Sequence, residues 1–206
     1  MKIIRKASSA EAVLAWLKAE IKTKRFNDGE AETSISDEIL RELEKNGQTT
    51  ELITDANLDY RDENALRLKI LRGYRDWFED NLDDYSWQLV EMLPEEVGDL
   101  EYIDYSYWNE LTGGTHKVRD GAETVRNGET IFDVSNDGFL SIKQAMEQGE
   151  SFEPIIVLQD GNTRRRIVEG HARATGYFLA KPAENQLLVL LGLNRSANGK
   201  ENYNIC

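Results

Sequence analysis

A chain of 206 residues with 40% hydrophobic residues, three prolines and one cysteine is long enough to bury roughly 70% of its unfolded surface without covalent staples. The lone Cys206 excludes an intramolecular disulfide and a cysteine metal cluster, which points to a reducing compartment and to a cytoplasmic protein. With 38 Asp+Glu against 25 Lys+Arg the net charge is -13, and twelve acids fall between Asp76 and His116 with no Lys or Arg among them, so the balance argues against nucleic acid held through its backbone.

The opening residues have a basic tip, but their apolar positions follow a helix face broken by Lys18 and Glu20, which is not the pattern of a signal peptide. The apolar run Leu187 to Leu193 falls far short of the ~20 residues a membrane helix needs, so no membrane association is expected. Ser8-Ser9-Ala10-Glu11 reads as a capping box that starts a helix with Leu14, Leu17 and Ile21 on one face. Ser34 or Ser36 can cap a second helix carrying Leu40 and Leu43, ended by Asn46-Gly47. Asp59 to Asn64 precede a third pattern of Ile70, Leu71, Tyr74, Trp77 and Phe78, and Trp87 with Val90 reads as a fourth helix stopped at Leu93-Pro94. Residues 1–96 are therefore expected to be helical.

After Gly98 the texture changes, and residues 97–206 are expected to form a second, α+β domain. Leu100 to Tyr107 alternates apolar or aromatic residues with acids and reads as a strand, Thr112-Gly113-Gly114-Thr115 as a turn, and residues 117–130 as loop. Phe139 to Met146 is an amphipathic helix closed by Gly149. Pro154 to Leu158, Asp160-Gly161-Asn162 and Arg164 to Glu169 make a strand, a hairpin turn and a return strand. A helix over 170–180 and a buried strand over 187–193 complete the pattern.

The chemistry concentrates in Glu169-Gly170-His171-Ala172-Arg173. A carboxylate ends a strand, a glycine makes the turn, and a His and an Arg sit in the first turn of a helix, whose leading N–H groups form an anion site at the positive end of the dipole. Gly170 lets a phosphate approach the backbone, His171 and Arg173 add charged donors, and Glu169 can hold a hydroxyl, orient a metal or act as base. The same residues also read as a structural cap, with Arg173 paired to Glu169. Arg164-Arg165-Arg166 alternates across the return strand, with Arg166 as a further phosphate contact or, equally, as an edge charge.

The order helix, Gly149, strand, turn, strand, Glu-Gly-His-Ala-Arg-Ala, helix, strand resembles the core of the ParB/sulfiredoxin-like superfamily, over about residues 100–193. With the helical reading of residues 1–96, the resemblance gives an α+β protein whose helical N-terminal half packs on a small mixed-sheet domain; it implies nucleotide phosphates held at Gly170, His171, Ala172 and Arg173, to which the residue reading adds Arg166. It further implies Glu169, His171 and Arg173 as catalytic residues, with ATP, ADP or CTP and Mg²⁺ as cofactors. The catalytic cysteine of sulfiredoxins has no counterpart in the turn, and with thirteen residues after Leu193 and Glu-Gly-His-Ala-Arg in place of a Gly-Glu-Arg-Arg type motif, a partition protein with its helix-turn-helix is not expected. The nearest analogy is the branch of small-molecule kinases with Asp-Gly-His-x-Arg, which implies phosphoryl transfer or NTP hydrolysis and a second carboxylate, for which Glu110 and Asp120 are the candidates. Two alternatives stay open: a non-catalytic nucleotide-gated module whose acidic helical half binds a protein partner, and a ParB-like DNA-directed regulator or nuclease.

Three further features complete the inventory. His116 follows the Gly-Gly turn and can share acid and base duties with His171 if the two meet. Asp133 to Gln144 follows a calcium loop at four positions but ends in Gln144 instead of a bidentate Glu, and a turn capping the next helix explains the same residues. Tyr102, Tyr105, Tyr107 and Trp108 read as core packing, with base stacking as the rival.

Overall fold

The computed structural model describes residues 1–22, 35–76, 78–161, 164–181 and 186–196. Among these residues the protein is a mixed α+β structure with nine α-helices and a five-stranded mixed sheet. Two compact units divide it: residues 8–83, and residues 1–7 together with 84–206.

The first unit is helical. In α1 (Ser9–Lys22) the Ser8 hydroxyl accepts from the Glu11 N–H at 3.2 Å, as the capping residues require. Helix α2 (Ile35–Lys45) ends where Gly47 takes φ 65° and Gln48 N–H returns to Leu43 O at 2.9 Å. Its buried face is Ile39 and Leu43, whereas Leu40 is exposed. Ser34, Trp77 and Asn162 lie outside the described residues. After the short α3 (Glu51–Thr54) comes α4 (Arg61–Tyr74), which stops at Tyr74, while Phe78 beyond it stacks edge-on with Trp16 at 4.9 Å. Leu17, Ile39, Leu43, Ile53, Ile70 and Leu71 supply the buried aliphatic surface.

The second unit is built on the sheet, in the order β1-β2-β5-β3-β4. Strands β1 (Lys2–Ala7) and β2 (Tyr85–Met92) correct the helical reading of residues 1–96. The three-residue spacing of Trp87 and Val90 fits a helix face equally well, and only pairing with β5 (Leu187–Asn194), from Tyr85 opposite Asn194 to Met92 opposite Leu187, makes the segment extended. Helix α5 (Pro94–Gly98) follows with Pro94 at its first position.

Two other expectations fail here. The strand expected from Leu100 to Tyr107 is reduced to single bridges of Glu101 with Lys117 and Arg166, after which α6 (Ser106–Leu111) begins. The loop expected over 117–130 contains α7 (Val118–Arg126), whose buried face is Val118, Gly121, Ala122 and Val125. Val118, Ala122 and Val125 recur at helical spacing among polar residues, and Gly121 between them is what fits: a Cβ there would lie 3.1 Å from the Tyr102 ring and 3.2 Å from Leu111.

Helix α8 (Asp137–Glu147), the hairpin of β3 (Ile155–Asp160) and β4 (Arg164–Glu169), helix α9 (His171–Ala180) and β5 follow the sequence pattern closely. β3 pairs antiparallel with β4 and parallel with β5, so β4 and α9 together form the connection between two parallel strands. The core beneath α9 gathers Val90, Tyr102, Ile155, Val157, Ile167, Tyr177 and Leu191. None of the described helices is long and apolar enough to cross a membrane.

Candidate functional site

The β4–α9 junction forms where two local irregularities coincide. Ile156 pairs with Glu169 while Val157 pairs with Ile167, so Val168 is the extra residue of a bulge in β4. A bulge bends its strand and re-aims the next side chain, here Glu169. Gly170 then takes φ 93° and ψ 25° as the N-cap of α9. A Cβ there would lie 2.8 Å from Ile155 Cβ and 3.1 Å from Arg173 Nη2, so the glycine is required both by the left-handed backbone and by close packing.

Arg173 folds back into that space and is 9% exposed. Its Nη2 donates to Glu169 Oε2, and Nη1 donates to Glu153 O and, at 3.3 Å, to Pro154 O. One guanidinium thereby ties the entry of β3, the exit of β4 and the first turn of α9. The Glu169–Arg173 spacing of four residues was legible as a pair in the sequence, whereas the carbonyls of Glu153 and Pro154 carried no signal.

His171 is placed by aromatics. Its ring stacks on Trp108 at 5.0 Å and 13°, and Tyr102 stacks on the same indole at 4.6 Å and 15°. The Tyr102 and His171 centroids are 5.9 Å apart, far closer than rings on opposite sides of an indole, so both lie against one face of Trp108. Thr175 donates to His171 O at 2.9 Å, which leaves its oxygen to accept from the Tyr102 hydroxyl at 2.7 Å. Burial pushes the Tyr102 phenol well above its ordinary value, against the opposing hydrogen bond with Thr175, so it is a fixed donor and not a base. Tyr107 packs edge-on to Trp108 at 4.9 Å and its phenol is likewise raised by burial, while Tyr105 is exposed.

The remaining candidates lie elsewhere. Arg166 directs Nη2 towards Asp160 Oδ2 at 3.7 Å, near the turn end of the hairpin and about 10 Å along the strand from Glu169. Glu110 is exposed on α6, and Asp120 accepts from Thr115 Oγ1 in the first turn of α7. His116 has φ 61°, receives the Tyr102 N–H on its carbonyl at 2.8 Å, and buries an Nδ1 that has no hydrogen-bond partner. The two histidines thus meet through Tyr102, one by its backbone and one by its ring. Among the described residues no group of three His, Cys, Asp or Glu side chains is placed to hold a metal ion, the calcium-like Asp133 to Gln144 segment included.

Glu101 lies along β4 and pairs with its first arginine, Arg164. Its backbone covers the outer edge of the strand, with Glu101 N–H to Arg165 O and Ile167 N–H to Glu101 O both at 2.8 Å. Its carboxylate accepts from Lys117 and Arg164, each at 2.8 Å. Burial acts to raise the Glu101 pKa, but those two hydrogen bonds and charges outweigh it and hold the group below its ordinary 4.5. A lowered carboxylate stabilises the fold above its unfolded pKa and loses that contribution as pH falls through its folded value. Urea titrations are therefore expected to find Glu101→Gln less stable than wild type at neutral pH, with the difference closing below pH ~4.5; a pH-independent difference would remove the charge from the explanation. The chain was compared with protein-family models, curated proteins and solved structures, and matches none of them.

Proposed function

We propose that residues 84–206 are a ParB/sulfiredoxin-like nucleotide-binding domain that holds a phosphate at the start of α9, with phosphoryl transfer or NTP hydrolysis as the reaction class. The observation that carries this reading is the left-handed Gly170 N-cap with the Arg173 guanidinium folded against it. The first intrahelical bond runs from Ala174 N–H to Gly170 O at 2.9 Å, so the amides of His171, Ala172 and Arg173 precede it at the positive end of the helix. A phosphate arriving there takes over Arg173 from Glu169. The released carboxylate is then available to Mg²⁺, which needs only one or two carboxylates beside substrate phosphates, or to the proton of an acceptor hydroxyl.

One observation favours a second reading. Arg173 already has three protein acceptors and His171 is stacked on Trp108, as a purely structural cap requires. Calorimetry with Mg²⁺ and ATP, ADP, CTP or GTP separates the two. If phosphate displaces Glu169, Glu169→Gln binds the preferred nucleotide at least as tightly as wild type while losing turnover, and Arg173→Gln weakens binding by about tenfold or more. A structural cap gives no nucleotide binding in the wild type and early melting in both variants.

A further inference from the structure

The link between α7 and α8 carries a backbone that its sequence does not favour. Val134 N–H donates to Ile131 O at 3.0 Å and the two residues form an antiparallel bridge, leaving Phe132 and Asp133 as a two-residue loop. Both have positive φ, 51° and 58°, which defines a type I′ turn. That turn selects Asn-Gly or Asp-Gly. Asp133 is tolerated because a short polar side chain accepts the left-handed region, but a phenylalanine there is a steric outlier.

Burial does not offset this strain, because the Phe132 ring is 64% exposed. Nor is the turn loosely held. Asn136, 8% exposed, donates Nδ2 to Glu129 O at 2.7 Å across its base, and Ile131 packs against the cluster of Leu111, Val125 and Phe139. A rigidly presented aromatic has already lost the conformational freedom that binding would otherwise remove, which is the property of an interface anchor. A strained residue kept at such a position points to a role outside folding.

The surroundings define the partner. Glu129, Asp133 and Asp137 are all exposed, and no Lys or Arg occurs from Asn127 to Ile142. Such a rim repels nucleic acid and anionic lipid and attracts a cationic surface. Leu140, 45% exposed in the first turns of α8, adds apolar area on the helix that follows the turn.

We propose that Phe132 anchors a protein partner, packing on the apolar face of a basic amphipathic polypeptide segment whose Lys or Arg residues meet Glu129, Asp133 and Asp137. This proposal is independent of the nucleotide reading. The test uses the full chain, wild type and Phe132→Asn, with two synthetic probes of equal charge: a Lys/Leu peptide amphipathic as a helix and a Lys/Ser peptide. At physiological salt the wild type binds the Lys/Leu peptide more tightly than the Lys/Ser peptide. Phe132→Asn, which leaves every charge in place, loses about tenfold in affinity for the Lys/Leu peptide and no longer distinguishes the two.

Because Asn accepts a positive φ, the variant also melts about 2–4 °C higher than wild type. Equal affinity in wild type and variant overturns the proposal, since charge alone then explains the binding. A lower melting temperature in Phe132→Asn overturns it too, because the ring then serves packing. Phe132-dependent binding to phosphatidylserine vesicles in place of the peptide replaces the polypeptide with a membrane and overturns it equally.

Discussion

Gly170→Ala is expected to lower the stability of the sheet-containing unit by roughly 2–5 kcal/mol, from a left-handed residue that is no longer glycine and from overpacking at the turn. The native φ is 93°, and the new methyl would meet Ile155 Cβ at 2.8 Å and Arg173 Nη2 at 3.1 Å. Neither neighbour can retreat: Ile155 is fully buried in β3, and Arg173 is held by Glu169 and two carbonyls. Gly176→Ala is the matched control. Its Cβ would approach Ile142 Cβ at 2.8 Å, but Gly176 lies inside α9, where alanine is the better helix former by about 1 kcal/mol. Urea denaturation should therefore show a clearly smaller loss in Gly176→Ala than in Gly170→Ala. Equal losses would mean that crowding alone, and not the left-handed backbone, makes Gly170 necessary.

Arg67 is the second position where a single change has a large effect, in the helical unit. Its side chain is fully buried, donating from Nε to Leu52 O at 2.7 Å, from Nη1 to Asn64 Oδ1 at 2.6 Å, and from Nη2 to Glu63 Oε2 at 2.7 Å. With a further bond from Nη1 to Asn57 O at 3.4 Å, they tie α3 and the loop after it to α4. Arg67→Ala opens a cavity and leaves the buried Leu52 O unpaired, a loss of about 3–5 kcal/mol. Arg67→Met fills most of the volume but supplies no donor. Its loss, read by urea denaturation, is expected to remain above ~2 kcal/mol, and a neutral Arg67→Met would assign the role of the side chain to packing alone.

The segment that carries the candidate site was the most legible part of the chain, for a local reason. The β3–β4 hairpin closes through a short turn, and Glu169, Gly170 and Arg173 lie within five consecutive positions. The turn between the strand and the helix and the four-residue Glu169–Arg173 spacing are local, whereas the packing of Gly170 on Ile155 and the Arg173 bonds to Glu153 and Pro154 are not. The capping of α1 by Ser8 and the left-handed end of α2 at Gly47 were readable on the same ground.

Features that depend on distant partners were not. Strand β1 is exposed along almost its whole length, and it pairs with β2 more than eighty residues away, so Lys2 to Ala7 shows no alternation of its own. Trp87 and Val90 are spaced for a helix and become extended only beside β5. α7 places Gly121 in the middle of its inward face, small because Tyr102 and Leu111, reached only in the fold, crowd it.

The sequence by itself determined the α+β class, the hairpin and the start of α9, and offered the Glu169–Arg173 pairing as one of two readings, because these rest mainly on neighbours along the chain. Only the tertiary structure decided that His171 lies on Trp108, that Glu101 covers β4 and pairs with Arg164, and that a strained Phe132 faces solvent. Those outcomes depend on which distant surfaces close on one another, and side-chain spacing within a segment carries no record of that.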